Sequence, residues 1–137
     1  MNPTVRNILA VLAGVIVGGV INMGIVNISG SIIPLPAGVD PTNTESLMEA
    51  MPFFGPEQFI FPFLAHAIGT LVGAYTVARL AASHSQQLAY IVGAVFFMGG
   101  IAASYILPAP LWFSAFDLIA AYFPMAWLGH RLVASNK

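Results

Sequence analysis

Hydrophobic residues run in four long stretches along the chain, separated by short polar or proline-rich segments. Each stretch holds roughly the 20 residues that an α-helix needs to cross ~30 Å of hydrocarbon at 1.5 Å per residue. The pattern predicts an all-α membrane protein, a four-transmembrane-helix bundle in which residues 1–137 form a single integral membrane domain. The predicted spans cover about Ile8–Ile33, 59–80, 88–107 and 111–133.

The first span has one alternative interpretation. An early Arg6, an apolar core and small residues near Ser29 also occur in cleaved secretory signals. The apolar part of such signals covers about 7–15 residues, and this one is much longer. A membrane-spanning helix is therefore favoured over a cleaved signal.

The loop between the first two spans, residues 34–56, contains a helix signal of its own. Residues 42–45 (TNTE) fit the S/T-x-x-E capping box, and apolar residues follow at helical spacing until Pro52. We expect a short helix lying on the membrane surface. The alternative is a plain connector with a chance match to the cap motif.

Charged residues are few, and they are segregated along the chain. Only 7% of the residues are charged and 58% are hydrophobic, with a mean hydropathy of +0.87. Soluble domains carry about 25% charged residues, so the composition favours the bilayer as solvent. All four basic residues lie at one set of helix ends, and four of the five acidic residues lie at the other. The basic set is Arg6, Arg79, Arg131 and Lys137, and the acidic set is Asp40, Glu45, Glu49 and Glu57.

This charge distribution predicts the orientation. The positive-inside rule places both termini and the 81–87 loop in the cytoplasm, with the acidic 34–57 loop outside. We therefore expect a multi-pass protein of the bacterial inner membrane with both termini cytoplasmic. The net charge of −1 gives no general attraction to nucleic acid, and the absence of cysteine excludes disulfides and thiol chemistry.

The two halves of the chain show a weak similarity. The first and third spans end in IIPLP (32–36) and ILPAP (106–110), and the second and fourth end in ARL (78–80) and HRL (130–132). Each half would then form a helical hairpin of the same orientation, so any duplication would be a parallel one. Independent origin of two proline-terminated hairpins is the alternative.

Small residues recur at four-residue steps on the first two spans. Gly14 and Gly18 form one G-x-x-x-G motif, and Gly69 and Gly73 form another. Small residues allow helix backbones to approach closely in lipid. We predict helix packing within the chain at these four glycines, and a face for oligomerisation is the alternative.

Two ionisable residues lie inside the predicted spans, His66 in the second and Asp117 in the fourth. Both are roughly 7–8 residues from the acidic ends of their helices, or about 10–12 Å deep at 1.5 Å per residue. Asn27 of the first span lies at a similar level, and Asn22 is closer to the midplane. Ionisable groups are costly in lipid and commonly functional, so these four are the candidate ligand- or proton-binding residues. A His–Asp pair can hold and release a proton near neutral pH.

Structural roles can also explain these residues. Ser114 and Asp117 could cap a fourth helix that begins late, at about Ala115. His66 could bond a backbone carbonyl or Asn27 and simply hold two helices together.

Three functional hypotheses follow from these observations. The favoured one is binding or transport of a small solute, an ion or a proton at the polar site of the outer leaflet. The alternative is a non-catalytic accessory or assembly subunit of a larger membrane complex. An enzyme has least support because no nucleophile–base pair is visible. We expect no cofactor and no metal, and the expected partner is the lipid bilayer, with a homo-oligomer or a larger complex left open.

Overall fold

The computed structural model describes residues 1–136 and confirms an all-helical fold. Four segments are long and apolar enough to cross a membrane, and no strand occurs between Met1 and Asn136. Residues 1–136 form six α-helices, with two 3₁₀ turns, Met51–Phe53 and Pro56–Phe59, before α3. The helices are α1 (Pro3–Ile32), α2 (Thr44–Ala50), α3 (Ile60–Leu80), α4 (Ser85–Ile106), α5 (Leu111–Ala120) and α6 (Phe123–Ala134).

Helix α3 lies at the centre of the bundle and packs against α1, α4 and α6. Its closest approach is to α1, at the four glycines of the two G-x-x-x-G motifs. A Cβ atom added at Gly18 would lie 2.5 Å from the carbonyl oxygen of Gly69, and one at Gly14 would lie 2.7 Å from that of Gly73. The two backbones are therefore in direct contact, and only glycine fits at this crossing.

At the end of the bundle that holds the basic residues, the first turns of α1 form hydrogen bonds with the end of α3 and the α3–α4 loop. The Arg6 side chain donates to the carbonyl oxygen of Leu80 at 2.7 Å, at the end of α3. The Asn7 amide oxygen accepts from the backbone N–H of Ala82 at 2.8 Å, and its NH₂ group donates to the Ser83 hydroxyl at 3.1 Å. The amino-terminus and the α3–α4 loop therefore lie at the same end of the molecule.

Helix α2 occupies the predicted part of the 34–56 loop, but its cap differs from the prediction. Asn43, and not Thr42, is the N-cap, and its side chain accepts from the backbone N–H of Ser46 at 3.0 Å. Thr42 instead donates to Asp40 through its hydroxyl at 2.7 Å and its backbone N–H at 2.8 Å. These two bonds hold the pKa of Asp40 below its usual range. Whether α2 lies on a membrane surface stays a prediction.

The fourth span is broken in the middle, whereas the sequence predicted one helix over 111–133. Helix α5 ends at Ala120, and α6 begins at Phe123 after Tyr122, which has φ −115° and ψ −79°. Pro124 explains the break, because its ring lacks an N–H and would clash with the carbonyl of Ala120 in a continuous helix.

The first residue of this span shows whether Asp117 is a capping residue or an interior residue of the helix. Helix α5 begins at Leu111, directly after Pro110. Asp117 is therefore an interior residue of α5. A late helix start with Ser114 and Asp117 as a capping pair is wrong.

Candidate functional site

The two ionisable residues of the predicted spans are in direct contact. The Nδ1 atom of His66, on α3, lies 2.9 Å from both carboxylate oxygens of Asp117, on α5. Asp117 is buried, with 3% of its surface exposed, and about a fifth of the His66 side chain (22%) is exposed. Because an ionised carboxylate only accepts, the ring N–H at Nδ1 donates to it. His66 therefore contacts Asp117 and connects two helices.

Tyr122 completes this cluster, and sequence reasoning missed it. Its hydroxyl donates to Asp117 Oδ2 at 2.9 Å, and its ring lies 5.8 Å from that of His66, measured between centroids. Only 1% of Tyr122 is exposed. The break between α5 and α6 places this side chain beside Asp117, five residues earlier. Pro124 was the one available signal, since a proline inside an apolar run marks a bend.

A cavity of about 600 Å³ lies above this cluster, towards the end of the bundle that holds the acidic residues. The carboxyl-terminal part of α1, the 34–58 segment and the facing ends of α3, α4 and α5 enclose it. Both His66 and Asp117 line the cavity. Most of the lining is apolar or aromatic, and the polar members are Asn27, Ser29, Thr42, Glu57, Gln58, His66, Ser104 and Asp117.

Gln58, one of the polar residues on the lining, has an unusual buried atom. Its Oε1 atom is buried and has no hydrogen-bond partner within the described part of the chain. A buried amide oxygen without a partner costs free energy, because its hydration is lost without replacement. Its neighbour Glu57 carries a carboxylate on the same lining. The cavity therefore has two carboxylates on its lining, those of Glu57 and Asp117.

The cavity does not continue through the bundle at the other end. There, small and branched side chains form a closely packed apolar cluster from all four spans. Its buried members are Ala10, Ala74, Val77, Ala89, Val92 and Ala126. The cavity is therefore a pocket at one end of the molecule and not a channel through it.

The remaining sequence candidates lie in different places. Asn27 is exposed and lines the cavity. Asn22 is outside the cavity lining and packs against Gly69 at the α1–α3 crossing. Gly14, Gly18, Gly69 and Gly73 all lie at that crossing, between helices of the same chain.

Ser104 shares the cavity with the His66–Asp117 pair, so nucleophilic chemistry has to be considered. Its hydroxyl donates to the carbonyl oxygen of Gly100, one turn earlier on α4, at 2.9 Å. A serine nucleophile needs its hydroxyl bonded to the base that removes its proton. The geometry therefore shows a His–Asp pair without an activated serine.

Metal binding has no support from the arrangement of side chains. Between Met1 and Asn136, no group of three or more histidine, aspartate or glutamate residues could hold a metal ion. The expectation of no cofactor stays a prediction.

Comparison of the chain with family models, curated protein sequences and solved structures found no match. The functional argument therefore depends on the geometry of the chain itself.

Proposed function

We propose that this chain is a multi-pass membrane protein that binds a small solute in the cavity above His66 and Asp117. The single observation that supports this most is the position of a hydrogen-bonded His–Asp pair, in which Asp117 is buried, on the lining of a 600 Å³ cavity. Ligand pockets have this size and this combination of apolar walls with a few polar groups.

The charge distribution supports solute entry from outside the cell. The cavity lies at the end that carries Asp40, Glu45, Glu49 and Glu57, whereas Arg6, Arg79 and Arg131 lie at the opposite end. The positive-inside rule assigns the basic end to the cytoplasm. In this orientation both termini are cytoplasmic and the cavity belongs to the outer leaflet.

Transport requires a second conformation, because the apolar cluster closes the bundle at the end that carries the basic residues. The break at Ala121–Tyr122 lies next to the site, and interrupted helices are common beside the binding sites of transporters. This conformation therefore supports binding. For transport, α6 would also have to move relative to α3.

The experiment uses full-length protein in lipid nanodiscs and three defined probes of similar size: benzyl alcohol, benzyltrimethylammonium and benzenesulfonate. Equilibrium dialysis measures how much of each probe the nanodiscs retain. Ala103→Phe places a large ring on the cavity lining, and Ala102→Phe adds the same ring at an exposed position on the same helix.

We expect at least one probe to bind with one-to-one stoichiometry to the wild type and to Ala102→Phe. Binding to Ala103→Phe should be at least tenfold weaker. Equal retention of every probe by the two phenylalanine variants would refute the proposal, because retention would then come from lipid.

The accessory-subunit hypothesis stays a prediction with less support. Its docking surfaces would be the glycine faces and the short helix of the 34–56 loop, but Gly14, Gly18, Gly69 and Gly73 are covered within the chain. A partner or a second copy would have to dock on another surface.

A further inference from the structure

The His66–Asp117 pair leaves one negative charge without a compensating partner whenever the imidazole is neutral. Asp117 is buried, and its donors in that state, the His66 ring N–H and the Tyr122 hydroxyl, are uncharged. The cavity lining contains no lysine or arginine among the described residues. An uncompensated charge at membrane depth is costly, so the site favours whatever neutralises it.

Two species can neutralise this charge. A proton can bind to His66 at Nε2, the ring nitrogen that does not face Asp117, which gives an imidazolium–carboxylate pair. A cation can instead occupy the cavity beside the pair. Both species compensate the same carboxylate, so the binding of one weakens the binding of the other.

The lining also indicates what kind of cation fits. The carboxylate of Glu57 adds negative charge to the lining, next to the amide side chain of Gln58. The rings of Phe54, Phe59 and Phe113 line the same cavity, and aromatic faces attract cations. The remaining apolar wall suits a hydrocarbon body, and a strongly hydrated metal ion would find too few ligands there.

We infer that the ligand of this cavity is an amphipathic organic monocation, and that its binding displaces one proton from His66 to the surrounding water. This inference rests on the proposed function. The titratable groups that contact His66 are Asp117 on α5 and Tyr122 at the helix break, and Glu57 before α3 lines the same cavity.

The test compares two probes of the same shape. Benzyltrimethylammonium carries a fixed positive charge and no titratable proton, and neopentylbenzene is its neutral carbon isostere. For each probe, the amount retained by nanodiscs with Ala103→Phe is subtracted from the amount retained with the wild type. This difference corrects for the probe that partitions into lipid. A pH indicator in weakly buffered solution counts the protons that the wild-type protein releases.

We expect the wild type to bind the cation at least tenfold more tightly than the neutral isostere. The cation's affinity should fall as the pH decreases, by up to tenfold per pH unit, because protons compete with the cation for the same negative charge. The protein should release up to one proton per bound cation. Equal affinity for both probes, or binding without proton release, would overturn the inference even if both probes occupy the cavity.

Three variants assign the effect to residues. Asp117→Asn should remove the preference for the cation, and His66→Gln, whose amide can still donate to Asp117, should bind the cation without dependence on pH. Glu57→Gln should still release the proton, which shows that the proton comes from His66 and not from the Glu57 carboxyl group.

The proton count on the wild type decides the inference even if Asp117→Asn does not fold. If no probe binds to the wild type, the proposed function itself fails.

Discussion

At the scale of single residues, the carboxylate of Asp117 determines how the polar site is built. It accepts from an imidazole on α3 and from the Tyr122 hydroxyl beyond the end of its own helix. The two donors replace hydration that the carboxylate loses through burial. The sequence indicated His66 and Asp117 because ionisable residues are rare in apolar spans. It did not indicate Tyr122, since tyrosine is common in such spans and its partner depends on the helix break.

The Tyr122 hydroxyl should stabilise the fold through this bond. Tyr122→Phe removes one donor to Asp117 and keeps the ring in its place between His66 and Phe97. We expect the free energy of unfolding to fall by about 1 kcal/mol, a typical net value for one such hydrogen bond. Reversible denaturation in detergent micelles measures it.

Tyr105→Phe is the matched control for this change. Tyr105 is 87% exposed, so loss of its hydroxyl should leave the stability unchanged. A similar loss in both variants would mean that the bond between Tyr122 and Asp117 contributes nothing.

Asn7 provides a second test at this scale. Its amide bonds the backbone and the hydroxyl of the α3–α4 loop. Asn7→Ala should lower the free energy of unfolding by about 1 kcal/mol. Asn136→Ala is the comparison, because the Asn136 amide donates only to Leu132, within the same helical turn. An equal effect of the two substitutions would contradict the tertiary role of Asn7.

At the scale of helices, backbone contact between α1 and α3 determines how the bundle packs. Glycines spaced four residues apart on both helices place the carbonyl groups of one helix against the Cα atoms of the other. Dispersion contacts and close backbone approach replace the hydrophobic effect, which does not act between helices in lipid. The two G-x-x-x-G motifs predicted packing here, but a motif alone names no partner helix. A third close approach, Gly129 of α6 against Leu71 of α3, has no motif around it and was not predicted.

A pair of adjacent glycines tests this crossing. A Cβ atom at Gly18 would meet the backbone of Gly69 at 2.5 Å, whereas one at Gly19 would have no neighbour within 4 Å. Gly18→Ala should therefore lower the free energy of unfolding by about 1–3 kcal/mol, as overpacking does.

Gly19→Ala should be neutral or stabilising by up to about 1 kcal/mol, because alanine favours the helix. Denaturation in micelles gives both values. The packing interpretation fails if the two substitutions have the same effect.

At the scale of the whole molecule, the charges lie at opposite ends, and the cavity opens towards the acidic end. Arg6 and Asn7 bring the amino-terminus to the α3–α4 loop, so both belong to one end of the bundle. The charge pattern predicts that this end faces the cytoplasm. The cavity would then be accessible only from outside.

Single cysteines test this orientation, because the chain has none of its own. Ala37→Cys places a thiol in the exposed loop at the acidic end, and Ala82→Cys places one in the exposed α3–α4 loop. We expect a membrane-impermeant maleimide to label Ala37→Cys in intact cells and Ala82→Cys only after permeabilisation. The reverse pattern would put the cavity on the cytoplasmic side.

The amino-acid sequence by itself determined the helical class, the number of spans and their approximate ends. These follow from local properties: the length of apolar runs and the positions of prolines and charges. The tertiary structure alone decided that His66 contacts Asp117, that Tyr122 joins them, that Asn22 lies outside the cavity and that the cavity closes at one end. Each of these depends on helix rotation and on the break after α5. Helix rotation arises from packing between distant segments, which no local pattern specifies. The break has a local signal in Pro124, but the residues that Tyr122 then contacts depend on the same packing.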